Sequence, residues 1–417
     1  MRQRKFLVCL RHATESAYHF AYMERCNCNM GAAAKERYLS FPRNTRHNPW
    51  LDMMRTVAVV LVLMRHGERS YTATLAENHT NTDILSLIFL NGWVGVDIFL
   101  VLSGYLIGCG LFSRFRRNSF ELWSYFRDRA LRILPAYYAV LLATAWGMFP
   151  GHHVESDNLG FRIFYHIIFL QDYLASDINV VFWSLGVEEK FYILAPAVTL
   201  IILRISNIKN ILLLFCALWV ISPLYKLIYF GTFGNEIEYV TFFRVFRSPF
   251  HSTLEALITG LAVSYITIVL KVRLSAYVAG IILGICGIVL LFSLGSHEWL
   301  LSINWVDVSA QPILISVVVG LSLIAATNLN KVRLVGEPIW RTVSRLSYAL
   351  YLVHLPLIPL AIGFGSILGD RGIGFWLSYF FLSFSAALLL HFFIEKPFLQ
   401  YKAFLNSNSI PSSQPGR

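Results

Sequence analysis

One apolar stretch, LDMMRTVAVVLVLMRHG, carries a guanidinium, Arg55, and an imidazole, His66, with ten residues between them. Eleven helical steps are close to three turns, so both side chains leave the same helix face, ~16 Å apart along the axis. An imidazole exchanges its proton near neutral pH while a guanidinium stays charged, so the pair offers acid–base chemistry at one level and a fixed cation at another. Ionisable groups in such a stretch are costly in hydrocarbon and usually face a bundle interior or a water-filled cavity. A local reading competes: Arg55 snorkels to the headgroups and His66 marks the end of the span. Asp97, in NGWVGVDIFLVLSGYLIG, is an acid in a second apolar stretch and needs a partner, which Arg55 or His66 could supply. Glu188 and Glu189, in WSLGVEEKFY, sit inside an aromatic helix. Adjacent carboxylates point ~100° apart, so one faces a common site while the other pairs with Lys190 or a neighbouring helix. Arg129 and Arg132, three residues apart on a helix that runs into a span, form a cationic pair suited to phosphate groups.

The elements that position these groups are membrane helices. Of 417 residues 56% are hydrophobic and 14% charged, with mean hydropathy +0.57, against ~25% charged residues in soluble domains. The net charge of +11 lies in the first fifty positions and in alternate loops. That is the positive-inside pattern, which sets topology and argues against a nucleic-acid partner. Apolar stretches near 51–67 and 84–112, a third ending near 149, and others near 181–203, 211–230, 250–270, 276–294, 313–326, 346–365 and 375–394 predict an all-α polytopic bundle of about ten transmembrane helices. Both termini are expected on the cytoplasmic side. Residues 1–50 read as a basic cytoplasmic segment, with Met30 as a second candidate start, 51–398 as the membrane domain, and 399–417 as a disordered cytoplasmic tail. A stretch at 164–170 is expected to dip into the interface. Gly104 and Gly108, four apart, provide for close helix packing. Six cysteines at scattered positions imply no disulfide framework, and Cys26 with Cys28 lacks the second pair that a metal site needs, so no metal is expected.

In chain order, LD-x-x-R with His66 following Arg55, GWVGVDIFLVLSGYLIG, RDRALRILPAYY, WSLGVEEKFY, HSTLEALITG, LSYALYLVH and FIEKPF are similar to the landmarks of the acyltransferase-3 family of membrane-embedded acyltransferases, from 51 to about 398. The resemblance implies transfer of an acyl group, commonly acetyl from acetyl-CoA, to a hydroxyl of lipopolysaccharide, of another cell-surface glycan, or of a glycolipid or smaller glycosylated acceptor, in a bacterial cytoplasmic membrane. It implies His66 as general base, with an acyl-His66 intermediate as the alternative route. Arg55 or a polar group of the second span, Asp97 among them, would stabilise the oxyanion. Glu188 would orient the imidazole or hold an arginine, and Arg129 and Arg132 would hold the CoA phosphates. Trp183, Glu189, His251 and Glu255 are expected at the acceptor. His354 reads as a packed or interfacial histidine, and His391 as structural.

The sequence departs from the family pattern at Met53, where a small residue is usual, at Thr253, where Arg is frequent, and at Glu255, where Asp is frequent. Arg247 is a candidate replacement for the missing cation. Some relatives carry an additional esterase-like domain, for which this chain is expected to leave no room. A transporter or flippase is the competing class, with Arg55, Asp97 and Glu188 as a proton relay. The lack of a detectable internal repeat counts against it.

Overall fold

A computed structural model describes residues 48–74, 83–233, 237–299, 303–367 and 371–408. The basic segment to His47 with Cys9, Cys26 and Cys28, the middle of the expected outer loop at 75–82, and the last residues from 409 lie outside the described residues. Among the described residues regular structure is helical, apart from an isolated bridge between Ile237 and Ile303.

The helices are α1 (Pro49–Thr74), α2 (Ile84–Leu90), α3 (Val94–Arg116), α4 (Leu122–Ala145), α5 (Leu159–Ile167), α6 (Trp183–Arg204), α7 (Ile208–Phe230), the short α8 (Tyr239–Phe242), α9 (Leu254–Ser264), α10 (Ala276–Ser296), α11 (Gln311–Asn328), α12 (Glu337–Val353), α13 (Ile358–Ile367), α14 (Arg371–Leu390) and α15 (Lys396–Asn408). Among the described residues five helical segments are long and apolar enough to cross a membrane, six when α12 and α13, bent by 64° where they meet, count as one span. Helices α1, α4 and α6, at 26, 24 and 22 residues, have the length of a span. What sets them apart is charge: Arg55 and Arg65, Arg129 and Arg132, Glu188 and Glu189 all sit within them. The helices richest in reactive groups are thus the least apolar.

The stretch expected at 84–112 is broken. Helix α2 ends at Leu90, the chain turns at Asn91–Trp93, and α3 begins at Val94. The buried Asn91 side chain holds this turn by donating to Leu294 and His297 carbonyls (2.8 and 2.7 Å) and accepting from the Trp299 amide (3.1 Å). The segment from 399, expected as a tail, is helical as far as Asn408. It is tied back by Arg127 Nη2 to Asn406 Oδ1 (2.6 Å) and by Lys402 Nζ to the Asp128 carbonyl (3.0 Å).

Helix α3 is the centre of the packing. A Cβ built on Gly104 would lie 2.2 Å from the Leu257 carbonyl oxygen, and one on Gly260 2.0 Å from that of Val101, so α3 and α9 touch backbone to backbone only because both positions are glycine. On its other flank Gly95 meets the Ala58 carbonyl of α1 in the same way. Helices α7 and α10 turn Leu212, Leu213, Ile228, Ile285, Leu291 and Phe292 outward, as helices solvated by lipid do. Helix α5, in the region expected to dip into the interface, exposes Phe161, Phe164 and Ile167.

Helix α12 runs beside α1 in the same direction. Ser344 donates to Asp52 Oδ1 (2.6 Å) near the start of both helices, and His354 reaches His66 near the far end of both. Each helix therefore carries arginine at one level and histidine at the other.

Candidate active site

The unbroken helix α1 keeps Arg55 and His66 at different levels, ~16 Å apart along its axis. The two belong to different clusters.

At the far level His66 meets His354. Nε2 of the fully buried His354 lies 3.1 Å from Nδ1 of His66, with ring centroids 5.1 Å apart. The neighbouring acceptors fix both tautomers. His354 Nδ1 lies 3.0 Å from the Leu350 carbonyl, which can only accept, so Nδ1 carries the proton and Nε2 is left as an acceptor. His66 Nδ1 faces that acceptor and the Val62 carbonyl at 3.1 Å, so it too carries the proton. Nε2 of His66 keeps its lone pair. Such an imidazole can take a proton at Nε2 while the second ring holds its orientation.

At the near level stand Arg55, Arg129, Arg132, Glu188 and Tyr192. Glu188 accepts from Tyr192 Oη (2.9 Å), and Arg129 lies 4.9 Å over the Tyr192 ring. Arg55 feels Arg132, Asp52 and Glu188 at electrostatic range. None of the three guanidinium groups donates a hydrogen bond to another described residue, so the donors of a cationic cluster are available to an anion.

A third set is closed. Arg247 donates to both oxygens of Asp97 (2.7 and 3.0 Å) and stacks over Trp93 and Trp183, 4.7 and 5.2 Å from their ring centroids. Lys226 donates to Glu255 Oε1 at 2.7 Å, both side chains at most 3% exposed. His251 Nδ1 lies 3.1 Å from Tyr173 Oη, and its ring packs edge-on to Tyr225.

Several expected contacts are replaced. Asp97 pairs with Arg247, not with Arg55 or His66, because both carboxylate oxygens are taken by one guanidinium fork. Lys190 binds Asp172 Oδ1 (2.5 Å) and the Phe169 carbonyl rather than Glu189. Asp172 lies in the loop outside the spans, where burial pushes its carboxyl up and the Lys190 ammonium holds it down. Glu188 stands with the arginines, whereas the partner of the His66 imidazole is His354. Trp183 lies against the paired Arg247 guanidinium, and Glu255 is the ion-pair partner of Lys226. Among the described residues no three His, Cys, Asp or Glu side chains converge as metal ligands.

His354, whose sequence context reads as packed or interfacial, and Tyr351 take places at the site that the sequence does not single out. His354 stands in LSYALYLVH, 288 positions from His66, and its apolar flanks resemble those of any packed histidine. Tyr351, one turn earlier, donates to the Val181 carbonyl (2.9 Å), shares a hydrogen bond with Ser184 Oγ (2.6 Å) and lies 6.0 Å from the His354 ring. It also lies within electrostatic range of both Glu188 and Arg247, so it stands between all three clusters. Spacing within the motif was the available signal: Tyr351 and His354 are three apart and share a helix face.

Known proteins resemble this chain over most of its length. A family model described as "Acyltransferase domain", that of the acyltransferase-3 family, matches residues 48–392. The chain is 25% identical over 353 residues to "Peptidoglycan O-acetyltransferase OatA" of Listeria monocytogenes, covering 76% of this chain and 51% of that one. It is 24% identical over 384 residues to "Putative O-acetyltransferase SAS0844" of Staphylococcus aureus, covering 85% and 58%. A 163-residue stretch is 32% identical to "Putative acetyltransferase ORF330" of Acidianus two-tailed virus, covering 39% and 44%. The chain thus spans about half the length of these relatives. No solved structure matches it.

Proposed function

The chain belongs to the acyltransferase-3 family, and from that premise we propose that it transfers an acetyl group from acetyl-CoA to a sugar hydroxyl of a cell-surface glycan of the peptidoglycan class. The observation that carries this reading is the pairing of His66 with His354, which leaves Nε2 of His66 as a free base. A sugar hydroxyl becomes a competent nucleophile when a base removes its proton in the transition state. In the proposed step Nε2 takes the hydroxyl proton as the oxygen attacks the thioester carbonyl. The C–O bond forms, the tetrahedral oxyanion collapses, the C–S bond breaks, and the departing CoA sulfur takes the proton back from the imidazolium.

Donor binding assigns the near level. CoA is a polyanion joined to its thiol by a long pantetheine arm, so Arg129 and Arg132 hold its diphosphate while the thioester extends toward His66. Arg55 stands with them rather than at the oxyanion, because ~16 Å of helix lies between it and His66. The near level faces the cytoplasm, where the donor is made, and the far level is open to an extracytoplasmic acceptor. The two ends of α1 thus serve two substrates.

Release of free CoA thiol by the purified protein, given acetyl-CoA and a soluble glycan acceptor, tests this. His66→Gln keeps the size and hydrogen bonding of the side chain but cannot take up a proton, and should cost about 10²- to 10⁴-fold in turnover with acetyl-CoA binding retained. Near-normal release by the variant would sink the general-base role, and no release by the unmodified protein would sink the enzymatic reading altogether.

A further inference from the structure

Beyond Arg129 and Arg132, a second group of cations stands at the near level, on the first half of α12. Nε and Nη2 of Arg341 are buried, yet neither has a hydrogen-bond partner among the described residues. Arg345 follows one helical turn later, on the same face, and is within electrostatic range of Arg341 and Asp52. The buried Lys396 of α15, its Nζ 5.0 Å over the Phe392 ring, is within range of Arg345. Asp52 is the carboxylate within range of both Arg345 and Arg55, and its Oδ1 is already occupied by the Ser344 hydroxyl. Arg341 therefore holds unmatched donors beside a second guanidinium, near a carboxylate that is already partly committed. Through Asp52 and Arg55 this group is continuous with the Arg132 and Glu188 cluster.

Two cationic groups, joined side by side, match a ligand with two separate phosphate positions. A buried guanidinium edge with unmatched N–H donors is shaped for one phosphate, gripped by two parallel hydrogen bonds. CoA carries a diphosphate on the 5′ side of its ribose and a lone phosphate at the 3′ position. We propose that Arg341 and Arg345 form the subsite for this 3′-phosphate, apart from the diphosphate position at Arg129 and Arg132. The inference rests on acyl-CoA being the donor, and it adds a specificity: the protein distinguishes CoA thioesters from phosphopantetheine thioesters that lack the 3′-phosphate.

The test is a cycle of protein and ligand changes, using the full chain in detergent without anionic lipid. Equilibrium binding is measured for acetyl-CoA and for 3′-dephospho-acetyl-CoA. The unmodified protein should bind the dephospho compound about 10- to 100-fold more weakly, the size expected for a charge-assisted contact. The Arg341→Gln, Arg345→Gln protein should bind both compounds equally, at the weaker level, and its retained affinity for the dephospho compound shows that it is folded. Arg341→Lys, which keeps the charge but not the fork, should fall between. Equal affinity of the unmodified protein for the two compounds overturns the subsite while leaving the donor assignment standing. So does a double variant that weakens both compounds by the same factor, the result expected if these arginines serve only topology or lipid headgroups. Failure of the unmodified protein to bind either compound overturns the donor reading and the subsite together.

Discussion

Asp97 with Arg247 and Lys226 with Glu255 are one-to-one ion pairs shut inside the bundle, the four side chains at most 7% exposed. By contrast, Arg55, Arg129, Arg132 and Arg341 crowd a neighbouring region in which none of the four donates a hydrogen bond to another described residue. Both sets are charges in a largely apolar molecule, and charge is costly in both. The difference lies in valence. A matched pair spends its donors on its own acceptor, so its role is to join elements: Arg247 binds the turn before α9 to α3, and Lys226 binds α7 to α9. An unmatched cluster keeps its donors for a ligand. The sequence presents the two sets alike, as polar residues in apolar runs.

The comparison breaks most readily at the closed pairs. Arg247→Ala strands the Asp97 carboxylate and should cost about 3–5 kcal/mol of stability, read as a lowered unfolding temperature in detergent. Replacing both partners at once, as Asp97→Leu with Arg247→Met, should recover most of that loss, since no uncompensated charge remains. A double variant as unstable as the single one would mean that the pair serves more than its own neutralisation.

At the open cluster the signs reverse. Arg129→Ala and Arg132→Ala should each weaken acetyl-CoA binding by about 1.5–3 kcal/mol, the worth of a hydrogen bond to a charged group, with little change in unfolding temperature. A drop in stability at constant donor affinity would return these arginines to the structural class. The smallest effect belongs to the dyad's supporting member. His354→Gln should lower turnover by about tenfold, ~1.4 kcal/mol, with donor affinity unchanged, because it loosens the tautomer and orientation of His66 without removing the base. Loss of acetyl-CoA affinity in that variant would show that His354 contacts the donor instead.

Much of this was legible in the chain. Hydropathy and the positive-inside bias pointed to an all-helical membrane bundle, because a segment in lipid must satisfy its backbone internally whatever it packs against. The eleven-step spacing placed Arg55 and His66 on one face, and Gly104 and Gly108 announced a close helix contact; both are consequences of helical period alone. Arg129 and Arg132 were legible as a pair for the same reason.

Partnership was not legible. Arg247 lies 150 positions from Asp97, and His354 lies 288 from His66, so no local rule connects them. Glu188, adjacent to Glu189 and Lys190, had its nearest charges in sequence and its actual neighbours on other helices. The sequence by itself determined which side chains occur and which face of their own helix they leave, since those follow from residue type and helical pitch. Only the tertiary structure decided which charges are matched and which remain open, because that depends on what the packed neighbour presents at the same level, and helices of one period can be brought together in many registers.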